Sequence, residues 1–146
     1  MSEPVDDAEI DYQRHHPYLQ AIVHHTDSVG DAMTRMALTA RQVIRSSSED
    51  DLPAAQKALA DVKASSRSFL AALARASCPE YLKGADAQIH DALKLLIDAG
   101  ARGAAAVQAK DGTRLASIAG EMDAAADDIG VAAQRIPDWR SGAARP

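Results

Sequence analysis

Five histidines stand in the 146-residue chain, and four of them, His15, His16, His24 and His25, fall close together near the start of a long apolar stripe. Imidazole is the commonest transition-metal ligand, so a metal centre is the first chemistry these residues raise. On a helix, however, His16 and His24 stand about 12 Å apart along the axis, too far to share an ion. His24, Asp27 and Asp31 do align at i, i+3 and i+7, but on the outward side of the stripe, where one histidine and two carboxylates hold metal weakly. A second set pairs Asp86 with His90 at i, i+4, and counting through the hairpins described below places Asp31 and Asp128 at about the same level. Four such donors would suit zinc only if they all turned inward, and solvated flank residues on separate helices are the simpler account. The Glu-x-x-His pair of di-iron bundles is missing from the chain, and its single cysteine excludes a Cys-x-x-Cys-His haem attachment. Neither a metal nor a cofactor is expected.

The remaining reactive types point the same way. Cys78 precedes Pro79 and Glu80 at an expected helix start, a place where the backbone dipole can lower a thiol pKa. Glu80 opposes a thiolate there, and no second cysteine can resolve an oxidised one, so Cys78 reads as a structural thiol. Glu121, Asp123, Asp127 and Asp128 form an acidic run that reads as a solvated helix face, since paired-carboxylate catalysis needs a cleft. The chain is therefore expected not to be an enzyme. Thr26 and Ser66 are the two hydroxyls set into otherwise apolar seams. Each can bond the carbonyl one turn earlier, or the two together can orient a small molecule held between helices.

Composition narrows the partners. The formal charge of −5 is spread over both signs along the chain with no basic stripe, so nucleic acid is not an expected partner. No apolar run approaches the roughly 20 residues that span a bilayer, so neither is a membrane. Residues 1–11 are acidic and lack the basic and apolar regions of a signal peptide, which together with a single cysteine predicts a cytoplasmic protein.

These residues have to be positioned by helices. Leu19, Ile22, Thr26, Val29, Met33, Met36, Ala40 and Val43 recur at spacings of three and four, and three later segments repeat the pattern. The helices are predicted over residues 17–46, opened by Pro17 in the first turn; 51–77, capped by Asp51 with Pro53 following; 79–110; and 113–136, after turn chemistry supplied by Asp111 and Gly112. Residues 1–15 are expected to be a flexible acidic arm and 137–146, with Trp139, a short tail; residues 16–136 are one domain. Short links between helices make neighbours antiparallel, so the fold is an all-α, up-down-up-down four-helix bundle. Its core should include Leu59, Val62, Phe69, Ile89, Leu93, Leu96, Met122 and Ile129. One end should gather Tyr18, Phe69, Tyr81 and Trp139, and the other a set of alanines and glycines that lets helix axes approach closely.

Two leucines fall outside the seams. Leu38 takes an outward position, and Leu95 points away from the stripe of Ile89, Leu93 and Leu96, with Ala92 and Ala99 beside it as an outer strip about two turns long. Such a strip predicts a homodimer with Leu95 near its interface. The function expected from all this is protein–protein interaction or scaffolding by a non-enzymatic helical bundle. The alternative is a sensory or ligand-binding bundle holding an apolar molecule near Thr26 and Ser66.

Overall fold

The computed structural model describes residues 7–46 and 49–136, and their side chains over 16–45 and 50–136. Helices α1 (Asp7–Ser46), α2 (Leu52–Arg75), α3 (Lys83–Gln108) and α4 (Gly112–Gln134) pack side by side, with short 3-10 turns at Glu49–Asp51 and Glu80–Leu82 leading into α2 and α3. The described residues contain no strand, and none of their helices is long and apolar enough to cross a membrane. The architecture is an all-α four-helix bundle in which each helix packs on the next and α4 returns to α1.

The ends of the helices differ from expectation in instructive ways. The first helix starts at Asp7, ten residues before Pro17, which therefore lies inside it. Residues 7, 9 and 11 are acidic, the type favoured at the positive end of a helix dipole, and that signal outweighs the preference of proline for a first turn. The segments 1–6 and 137–146, assigned above to the arm and the tail, lie outside the described residues. Asp51 does not cap α2 with its side chain: it is the last residue of the 3-10 turn and takes helical geometry (φ −87°, ψ −15°). The α helix of α3 opens at Lys83, since residues after Pro79 first take a 3-10 turn.

The α3–α4 reversal also works otherwise than Gly112 suggested. Asp111 N–H bonds to Ala106 C=O at 2.9 Å and Lys110 N–H to Val107 C=O at 3.0 Å, the paired bonds of a Schellman motif. Its left-handed position is filled by Lys110 (φ 57°), whereas Gly112 stays out of that region. Asp111 then caps α4, its Oδ1 accepting the Arg114 N–H at 3.0 Å.

All eight core residues named from the sequence are buried. The helix stripes converge because each apolar side chain leaving water contributes, and a fully buried Leu, Ile or Phe is worth about 1.5 to 3 kcal/mol. Where α2 meets the second half of α3 the approach is close: a Cβ on Gly103 would stand 2.9 Å from Leu59 Cδ2, and one on Gly100 would stand 2.6 Å from Lys63 Cγ. Helices α1 and α4 pack least closely of the four neighbouring pairs. A Cβ added to Gly30 or Gly130 would meet nothing within 4 Å.

Candidate functional site

Polar groups of the bundle converge where α2 ends. Helices α1 and α3 are diagonal partners, and Tyr18 of α1 reaches across the space beyond Arg75 to donate its hydroxyl to Asp86 Oδ1 at 3.0 Å. Asp86 Oδ2 lies 3.4 Å from Nε2 of His90, one turn further along α3. Cys78, in the α2–α3 link, interacts with the Tyr18 hydroxyl and donates its thiol to the Pro79 carbonyl at 3.3 Å. The link is thereby tied to α1, and through Tyr18 to Asp86 of α3. Tyr18 is fully buried, while Asp86, His90 and Cys78 are half-buried.

The electrostatics of this chain favour holding over reacting. Burial, reinforced by the charge of Asp86, pushes the Tyr18 hydroxyl far above the ordinary tyrosine pKa, so it remains a neutral donor. Burial also pushes the Cys78 thiol up, with Tyr18 partly opposing it, which disfavours the thiolate that nucleophilic or redox chemistry requires. Asp86 has its two oxygens engaged by different partners. The arrangement is a connected polar network at the end of the bundle.

Asp86 and His90 do meet, but the other two members of the proposed zinc set do not join them. Asp31 is exposed and stands about 20 Å along α1 from Tyr18, the α1 residue at the level of Asp86. Asp128 is exposed on α4, its backbone carbonyl accepting from Gln88 Nε2 at 3.3 Å. No three histidine, cysteine or carboxylate side chains among the described residues are grouped as metal ligands. In the acidic run, Glu121 forms a two-point ion pair with Arg102 (3.0 and 3.2 Å), which Asp98 also contacts at 2.9 Å. Arg102 draws the Glu121 carboxyl below its ordinary pKa.

His24 and His25 part company. His24 is exposed, while His25 is half-buried and stacks on Phe69 with ring centroids 5.4 Å apart. Burial, with a smaller effect from His24, lowers the His25 pKa. Both histidines line an open groove of about 530 Å³ over the α1–α2 joint, together with Pro17, Gln20, Arg75 and three alanines. The aromatic end is smaller than expected: Tyr81 points to solvent because the 3-10 turn puts its neighbour Leu82 inward, and Trp139 lies outside the described residues.

Thr26 and Ser66 do not bond the carbonyl a turn earlier. Their hydroxyl oxygens are buried without a hydrogen-bond partner among the described residues, and Ser66 is 0% exposed. Two unsatisfied hydroxyls on facing helices are an anomaly that position alone did not reveal.

The outer leucines separate sharply. Ala92 and Ala99 are buried (4% and 0% exposed), so the two-turn strip around Leu95 does not exist. Gln88, Leu95 and Arg102 share one heptad position, and both Gln88 and Arg102 bond to α4, so this flank of α3 faces a neighbouring helix. Leu95 keeps 39% exposure in that joint, whereas Leu38 is 57% exposed. Leu38 borders a groove of about 450 Å³ between α1 and α4, with Met33, Thr34, Ala37 and Arg41 on one wall and Asp123, Ala126 and Asp127 on the other. Compared with protein-family models, curated proteins and solved structures, the chain matches none.

Proposed function

We propose that this bundle is a non-enzymatic interaction module that presents a helical surface to a protein partner. The observation that carries the reading is Leu38, a large aliphatic side chain left 57% exposed beside an open groove between the two least tightly packed helices. A single exposed leucine is ordinary, but this one borders the same groove as Met33, Ala37 and Ala126, so a partner seated there would remove apolar surface from water. The reactive groups support the same reading, since Tyr18 contacts both Asp86 and Cys78, and Asp86 in turn contacts His90. A net charge of −5 favours a protein over a nucleic acid, and a lone half-buried thiol suits a reducing, cytoplasmic setting. The self-association expected through Leu95 is retained as part of this reading, with its surface moved to Leu38.

The test is affinity capture with wild-type, Leu38→Glu and Leu95→Glu proteins as parallel baits, followed by mass spectrometry. A protein retained by wild type and Leu95→Glu but lost with Leu38→Glu supports the reading. Capture profiles identical for all three baits overturn it.

A second reading, a bundle that holds a small molecule, is favoured by one observation: the unpartnered hydroxyls of Thr26 and Ser66 inside the helix seams. A native mass spectrum of purified protein tests it. Bound mass that survives gentle ionisation, and is lost from a Thr26→Val/Ser66→Ala variant, supports this alternative; bare protein in both samples overturns it.

A further inference from the structure

We infer that the partner seated on the α1–α4 groove is a second copy of this chain, related by a two-fold axis beside Leu38; this rests on the interaction reading above and names its partner. The argument starts from the charges on the groove walls. Arg41 stands on the α1 wall and Asp123 and Asp127 on the α4 wall, yet among the described residues no ion pair joins them within the chain. The groove thus offers both signs of charge, one on each wall, with Met33, Ala37, Leu38 and Ala126 among its lining. A two-fold axis turns such a surface onto itself so that residue i meets j and j meets i. Arg41 of each copy is then set against Asp123 and Asp127 of the other, two equivalent ionic contacts for one arrangement of surfaces.

The apolar part of the groove has the same self-complementarity. Leu38 is a protruding side chain, and Ala37 and Ala126 are small ones beside it, so each copy supplies a knob and a hollow. Gly30 and Gly130, where an added Cβ would touch nothing, leave space on the same two helices for a neighbouring helix to approach. The alternative face on α3 lacks these properties: Ala92 and Ala99 are buried, and the polar side chains flanking Leu95 already bond to α4. A partner lacking this pattern of one cation and two anions about an apolar centre would leave part of the wall charge unmatched.

The inference is tested by sedimentation equilibrium on the full chain, with helical content and melting followed by circular dichroism to confirm that each variant folds. Wild type should be dimeric in the micromolar range. Leu38→Glu should weaken the dimer at least about 100-fold, because the side chain is used twice across the axis, while Leu95→Glu should leave it unchanged. Charge reversal gives the sharper readout. Arg41→Asp alone and Asp123→Arg/Asp127→Arg alone each place like charges in contact across the axis and should be monomeric, yet an equimolar mixture of the two restores opposite charges at both contacts and should form a heterodimer. A wild-type monomer, a dimer indifferent to Leu38→Glu, or a mixture that stays monomeric would overturn the inference. A monomer that still captures a different protein through Leu38 would overturn this inference and leave the interaction reading standing; the absence of any Leu38-dependent contact would overturn both.

Discussion

Replacing Ser66 by alanine should make the bundle more stable, although it deletes a polar group from a helix that the rest of the protein depends on. Ser66 is fully buried and its hydroxyl has no partner among the described residues. A buried hydroxyl without a hydrogen bond costs about 1 to 3 kcal/mol in desolvation. Alanine removes that cost and has the higher helix propensity, an additional gain of up to roughly 0.5 kcal/mol. Against this stands the small void left by one oxygen atom, about 1 kcal/mol at most if nothing relaxes into it. The net expectation is stabilisation of about 1 kcal/mol. Urea unfolding followed by far-UV circular dichroism, with an unchanged slope, measures it directly, and melting should rise by about 2 to 5 °C. Thr26→Val keeps the branched shape and removes the other unpartnered hydroxyl, so it should stabilise by a similar amount. If Ser66→Ala instead destabilises by 1 kcal/mol or more, the hydroxyl is satisfied in solution by a water or ligand. The reasoning from an unpartnered hydroxyl would then be refuted and the small-molecule reading would gain ground.

Tyr18→Phe should destabilise by about 1.5 to 3 kcal/mol, since it removes a hydrogen bond to a carboxylate at the half-buried end of the bundle; equal urea midpoints for the two proteins would show the Tyr18–Asp86 contact to be incidental. Lys110→Gly should stabilise by up to about 1 kcal/mol, because Lys110 occupies a left-handed position that glycine takes without steric cost, and a drop in melting temperature would contradict the assignment. His25 has a folded-state pKa below its ordinary value, so the unfolded chain binds the proton more readily. Its contribution to stability is therefore fully present above about pH 6.5, the ordinary histidine value, and is lost as pH falls through the window beneath it. His25→Gln should flatten that part of the stability–pH curve, and a curve that keeps its slope would assign the effect elsewhere.

Helix number and inward faces were legible because a period of three and four is a local property. Leu59, Val62, Phe69, Ile89 and Met122 are buried where the stripes place them, and no tertiary information is needed to see it. Helix ends were less legible because they depend on competing local chemistry. Pro17 carries a first-turn signal, but the acidic residues before it carry a stronger one and the helix runs through. Asp111 and Gly112 mark a turn, yet which residue takes the left-handed conformation follows from where α3 runs out of partners for its carbonyls, and that residue is Lys110.

The candidate site was legible only where it stayed within one helix. Asp86 and His90 are four residues apart and meet as spacing dictates, whereas Tyr18 is 68 residues from Asp86 and on the diagonal helix. No pattern of spacing connects them. What could have pointed there is a physical argument about ends: α2 stops at Arg75, so the facing helices at that level lack one neighbour, and a long side chain with a polar tip fills such a space while satisfying a half-buried carboxylate. The outer leucines make the complementary point. A heptad count gives the side of a helix that faces the core, but whether a flank residue is covered depends on how close the adjacent helix comes. Leu95 lies on a flank closed in by the Gln88 and Arg102 contacts to α4, and Leu38 lies on the flank where α1 and α4 pack less closely and leave a groove, so only the second offers a partner a surface with unmatched charge beside it.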